Sequence, residues 1–110
     1  MECMQPIDSF KILVQHPCLP GHFPDRPIVP GVVLLERVET ILKKHFADWE
    51  IIELNQVKFL QPALPEESIE LQVDSSKLES HHSIVFQLKN IENQNRVAMG
   101  KLTLTKVNKG

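Results

Sequence analysis

A run of prolines that ends against a helix constrains this chain more than any other feature. Five of its eight prolines, Pro17, Pro20, Pro24, Pro27 and Pro30, fall in residues 16–31. Proline fixes φ and removes a backbone donor, so this segment can be neither helix interior nor inner strand. It reads as a stiff loop, and a loop of this length in a short domain tends to carry function. A helix is expected directly after it, over residues 32–46. Leu34, Leu35, Val38, Ile41, Leu42, His45 and Phe46 fall there on one stripe at helical spacing. Glu39 and Lys43 make a favourable i,i+4 pair, and Lys43 and Lys44 suit the negative end of the helix dipole. Val32 and Val33 add apolar surface to the other side of the first turn. A helix apolar on both sides at one end is expected to be wrapped there by protein.

The rest of the chain alternates with a period of two. Residues 10–15 place Phe10, Ile12 and Val14 on one side and read as a strand. Residues 51–60 are rich in β-formers and stop at residues 61–65. Residues 68–74 put Ile69, Leu71 and Val73 on one face, and residues 82–91 do the same with Ile84, Phe86 and Leu88. Residues 97–107 carry Ala98, Gly100, Leu102 and Leu104 in one phase, after a turn at Asn93, Gln94 and Asn95. Strands joined by short turns pair as hairpins. One helix must then cover the apolar face of one antiparallel sheet, which is an α+β fold. The 110 residues make one ordinary domain, residues 1–110, with no internal repeat or linker.

Composition removes several function classes. A formal net charge of −2 does not suit a nucleic-acid binder. No apolar run approaches the roughly 20 residues that span a bilayer. The first residues lack the basic start and apolar stretch of a secretory signal, so a cytoplasmic protein is expected. Cys3 and Cys18 then read as free thiols. His81 and His82 would point to opposite sides if extended, and there is no C-x-x-C or H-E-x-x-H, so no metal site is expected.

The chemistry gathers where the proline loop meets the helix. His22 sits among Pro20, Pro24, Pro27 and Pro30. A stiff loop can hold an imidazole in one place, as a general base requires. Gly31 falls at the helix start, where backbone N–H groups are unpaired and backed by the positive dipole end. Such a donor polarises a carbonyl oxygen, and a glycine lets substrate approach closely. Glu36 follows just over a turn later beside Val32 and Val33. Helical phase on its own leaves it solvated on the polar side. A carboxyl in apolar surroundings stays protonated and can act as an acid. Base, oxyanion donor and acid suit removal of a proton α to a thioester with departure of a β-hydroxyl.

The segment Gly21-His22-Phe23-Pro24-Asp25-Arg26-Pro27-Ile28-Val29-Pro30-Gly31 resembles the HFPGxPxxPG signature of the 3-hydroxyacyl-[acyl-carrier-protein] dehydratases of the FabA/FabZ type. The spacing of His22 and Glu36 matches that family's catalytic pair. A second patch, from Val57 to Pro65, resembles its F-x-x-P-x-x-P-G-D strand and turn, with Glu66 and Glu67 in place of Gly-Asp. The resemblance implies a hotdog fold, an antiparallel sheet wrapped around one long central helix, in a dimer with active sites at the subunit interface. By that resemblance His22 takes the C2 proton, Glu36 of the other subunit protonates the leaving hydroxyl, and the Gly31 N–H binds the thioester oxygen. Phe23, Val32 and Phe59 are the implied substrate contacts. The implied substrate rides on the phosphopantetheine of acyl carrier protein, and no metal or diffusible cofactor is called for. Arg26 and Lys58 are candidates to meet that acidic carrier at the pocket mouth, against the plainer reading of solvated side chains.

Three departures mark a specialised branch. Asp25 stands where the family has Gly, Arg37-Val38-Glu39-Thr40 follows the acid where the family often reads Ala-Met-Ala-Gln, and the chain has no tyrosine to gate a tunnel. Two other functions stay open: a hotdog acyl thioesterase, and a non-catalytic subunit that binds acyl carrier in a heterodimer. A homodimer is the expected assembly, with the heterodimer as its alternative.

Overall fold

The structure, a computed structural model, describes residues 4–13 and 28–107. Its strands are β1 (Gln5–Phe10), β2 (Trp49–Phe59), β3 (Ile69–Asp74), β4 (Ser83–Asn90) and β5 (Arg96–Lys106). They form one sheet in the order β1-β3-β4-β5-β2, with every neighbouring pair antiparallel. Helix α1 (Gly31–His45) packs on one face, and a short α2 (Leu78–His81) lies between β3 and β4. Among the described residues no helix is long and apolar enough to cross a membrane.

The expected alternation decides which face meets the helix. Ile69, Leu71 and Val73 of β3, Ile84, Phe86 and Leu88 of β4, and Ala98, Leu102 and Leu104 of β5 are buried. They pack with Val33, Leu34, Val38, Ile41 and Leu42 of α1 in one core. Each large side chain buried this way contributes about 1.5–3 kcal/mol. The other face of the sheet is polar. Gln87 donates to Gln72 Oε1 at 2.8 Å, Gln72 donates to Glu70 Oε1 at 2.6 Å, and Thr103 donates to Asn55 Oδ1 at 2.7 Å.

Gly100 is where the core is tightest. A Cβ there would lie 2.7 Å from Phe86 Cε1 and 3.0 Å from Val57 Cγ2. The close approach lets β2 bulge. Asn55 pairs with Lys101 and Lys58 with Met99, so Gln56 and Val57 together face the single residue Gly100. Gln56 takes φ 51 to accommodate this. The extra residue reverses the phase of the strand beyond it. Phe59 therefore pairs with Ala98 on the helix face, and Lys58 with Met99 on the polar face.

Three expectations need correction. The first strand is Gln5–Phe10 rather than residues 10–15; residues 11–13 are irregular, and 14 and 15 lie outside the described residues. β1 is an edge strand holding Pro6, with a register break between Pro6 and Asp8, so Ile7 and Phe10 do not alternate. Ile12 is buried without being in a strand. His45 leaves the buried stripe, and its Nε2 lies 3.9 Å from Asp8 Oδ2 near the surface. His81 ends α2 rather than lying extended, and His82 caps it at φ 54 in the left-handed region.

Candidate functional site

The site is built on the start of α1. Pro30 is the N-cap, extended at φ −60 and ψ 143, and its carbonyl accepts from the N–H of Val33 at 3.0 Å and of Leu34 at 3.4 Å. Among the described residues no side chain caps this end, and no acidic residue sits in the first turn. Among the described residues nothing accepts from the N–H of Gly31 or Val32. Backbone N–H groups at the positive end of a helix can donate to an oxyanion.

A second segment holds this end in place. The Val29 N–H donates to the Ala63 carbonyl at 2.8 Å, and the Leu60 N–H donates to the Val97 carbonyl at 2.8 Å. Between the two segments lies an open cleft of about 400 Å³, whose lining includes Ile28, Gly31, Leu34, Phe59, Leu60 and Pro62. Phe59 stands directly against the helix start. A Cβ on Gly31 would come within 2.6 Å of Phe59 Cζ, so glycine is what lets the ring lie against this backbone. The ring is still 51% exposed, and Ile28, Val32 and Leu60 beside it are 49%, 60% and 46% exposed.

The single chain brings together only part of the constellation. Gly31 and Phe59 meet in the cleft. Val32 is adjacent but points away, among the most exposed apolar residues. Glu36 is exposed on the outward side of α1, so the apolar surroundings expected for it are not supplied by its own chain. Its valine neighbour Val33 turns into the core instead of covering it. His22, Phe23, Asp25 and Arg26 lie outside the described residues. Lys58 is on the opposite face of the sheet from the cleft because of the Gln56–Val57 bulge, which corrects its expected place at the pocket mouth.

The departure at Glu66 and Glu67 has a local explanation. The Glu67 N–H donates to the Leu64 carbonyl at 3.3 Å across a turn with Pro65 in its second position. Glu66 takes φ 69 in the third position, as in a type II turn, where glycine is favoured. Glu67 then does the work of a shorter carboxylate. Its Oε1 accepts from the Leu64 N–H at 2.8 Å and its Oε2 from Asn90 Nδ2 at 3.0 Å. The turn fixes Ala63, and through it Val29 and the start of α1. Sequence reasoning passed over the Ala63 carbonyl and the Glu67 anchor, although the Pro62 and Pro65 spacing marked the turn.

A family model for the ApeI dehydratase, described as ApeI-like, matches residues 5–101. The chain belongs to the ApeI-like dehydratase family. Among curated proteins it is 33% identical over 76 residues to the 3-hydroxyacyl-[acyl-carrier-protein] dehydratase FabZ of Haemophilus influenzae, a match covering 61% of this chain and 51% of that one. The chain thus spans about half the length of the curated relatives it matches. Two solved structures share its hotdog fold. An uncharacterized protein from Erwinia carotovora superposes with a TM-score of 0.74 at 22% identity, covering 94% of this chain and 90% of that one. The dehydratase heterocomplex ApeI:P from Xenorhabdus doucetiae gives 0.72 at 22% identity, covering 89% and 84%. In this ApeI-like chain the start of α1 has no side-chain cap among the described residues.

Proposed function

We propose that this ApeI-like chain removes water from a 3-hydroxyacyl thioester carried on the phosphopantetheine of acyl carrier protein, giving the trans-2-enoyl thioester. The observation that carries the reading is the pair of amides at Gly31 and Val32, for which no acceptor stands among the described residues, beside an apolar cleft walled by Phe59. His22 takes the C2 proton. The Gly31 N–H donates to the thioester oxygen as negative charge gathers there. Glu36 gives its proton to the hydroxyl as the C3–O bond breaks, and the C2=C3 double bond forms. Acid–base groups of this kind contribute about 10²–10⁴-fold each, and one oxyanion donor about 10²–10³-fold. No metal or diffusible cofactor takes part.

The reading includes a dimer. Glu36 faces outward, and Ile28, Val32, Phe59 and Leu60 leave apolar surface uncovered at the same end. A second subunit laid over it would bury Glu36 against Val32 and bring it to the partner's proline loop. The 11-residue β2 is an edge strand with one side free for that pairing. A homodimer satisfies this symmetry; the ApeI:P heterocomplex of Xenorhabdus doucetiae supplies the alternative.

The test follows water loss by mass from a 3-hydroxyacyl carrier protein and from its pantetheine mimic. Wild type should form the enoyl product, and His22→Ala and Glu36→Gln should lose it with the fold intact. Release of the free acid would replace the reading with a thioesterase. No turnover across several chain lengths would replace it with a binding subunit.

A further inference from the structure

Among the described residues the only buried polar side chains are those of Ser83 and Asn90, and Asn90 ends β4. Burying an amide costs free energy unless its donors and its acceptor are matched. Asn90 is matched on both sides. Its Oδ1 accepts from the N–H groups of Glu92 at 2.9 Å and Asn93 at 3.3 Å, which fixes that atom as the oxygen. Its Nδ2 is thereby turned to Glu67 and donates to Oε2 at 3.0 Å. Its main chain closes the turn between β4 and β5, donating to the Asn95 carbonyl and accepting from the Gln94 N–H, both at 2.9 Å. One side chain therefore joins the end of the β4–β5 hairpin to the turn that carries Glu67.

That turn holds more than the helix start. The Ala63 carbonyl accepts from the Val29 N–H at 2.8 Å, and the Glu66 N–H donates to the Ile12 carbonyl at 2.8 Å. Ile12 and Val29 flank the proline-rich segment that contains His22, one on each side, and both are buried. Bringing the two ends of a segment together removes conformations from everything between them. We propose that Asn90 is a positioning residue for the water-loss reaction: through Glu67 it sets the turn that clamps both flanks of the proline segment and, one residue beyond Val29, the N-cap of α1. The inference rests on the reading that His22 and the Gly31 N–H act on a hydroxyacyl thioester. An ionised carboxylate only accepts, and each Glu67 oxygen has one donor, the Leu64 N–H at 2.8 Å on Oε1 and Asn90 on Oε2. The amide of Asn90 therefore supplies what a carboxylate in its place would not.

The experiment reverses the polarity of this bond. In Asn90→Asp two carboxylates face each other across the contact. In Glu67→Gln the new amide spends its oxygen on the Leu64 N–H and turns its nitrogen to Asn90. In Asn90→Asp/Glu67→Gln donor and acceptor have changed places, and every bond can form again. The full chain and these variants are assayed for water loss from the pantetheine mimic, at a temperature where circular dichroism shows them folded. Each single variant should lower kcat about 10- to 10²-fold with KM unchanged, since displaced groups act in the transition state. The double variant should return to within about threefold of wild type. Leu78→Ala, a core truncation at the other end of β4, is the control: Tm falls and kcat stays at wild type. If Asn90→Asp does not fold, Glu67→Gln against the double variant makes the same comparison. Wild-type kcat in the single variants, no recovery in the folded double variant, a rise in KM with kcat unchanged, or an equal loss of kcat in Leu78→Ala overturns the proposal. If wild type removes water from no substrate, the catalytic reading fails and amide exchange decides the clamp. Val29 and Glu66 should then exchange faster in each single variant and at wild-type rates in the double variant, and unchanged exchange overturns the clamp.

Discussion

Removing the Glu67 carboxylate tests how the turn supports the site. In Glu67→Ala the Leu64 N–H loses an acceptor at 2.8 Å and Asn90 Nδ2 one at 3.0 Å. The first group is exposed to solvent, so its loss costs about 0.5–1.5 kcal/mol. Asn90 is 2% exposed, and a buried donor left without an acceptor costs about 1–3 kcal/mol. Together the expected destabilisation is about 2–4 kcal/mol. At about 4–8 °C per kcal/mol this lowers Tm by roughly 8–32 °C at fixed protein concentration. Glu67→Gln keeps one acceptor oxygen and should lose about half as much. Urea unfolding of the three proteins gives the energies. Hydrogen exchange at Val29, whose N–H reaches the turn at Ala63, reads the effect on the site and should accelerate in Glu67→Ala. A loss under about 1 kcal/mol in the alanine variant, with Val29 exchange unchanged, would refute the anchoring role.

Substitutions at three further positions separate packing from function. Gly100→Ala drives a methyl into Phe86, which is 0% exposed and cannot retreat, so urea unfolding should show a loss of about 1–3 kcal/mol. Gly31→Ala meets only the half-exposed Phe59 ring; stability should change little, while a displaced ring should lower kcat/KM by up to about 10²-fold in the water-loss assay. Glu66→Gly and Glu66→Ala remove the same side chain at φ 69, so the glycine variant should be the more stable by about 1 kcal/mol in thermal unfolding.

The core was legible because β3, β4 and β5 each bury one face, and period-two patterning survives wherever register is unbroken. The helix was legible because one stripe of α1 meets that core. β1 was misplaced because an edge strand with a proline and a register break loses the alternation, while Phe10, Ile12 and Val14 imitate it. The side of the sheet that Lys58 occupies was not legible at all. It depends on an extra residue opposite Gly100, and no residue type on its own announces a bulge. Gly31 was readable from Pro-Gly at a helix start, and Phe59 from the second motif; their contact required the fold. The exposure of Glu36 shows a different limit. Helical phase placed it on the outward side, but burial there depends on surface that one chain does not provide.

The Gln56–Val57 bulge has a consequence for how such a strand can change over generations. Point substitutions at Lys58 and at Phe59 alter a surface charge and a cleft wall independently. Insertion or loss of one residue between Asn55 and Lys58 does not, because it inverts both positions at once, turning the cation toward the helix and the ring toward solvent. Length in this stretch is therefore inherited as a single all-or-none character. Lineages can adjust either surface by substitution, but they can lengthen or shorten the strand here only by rebuilding both.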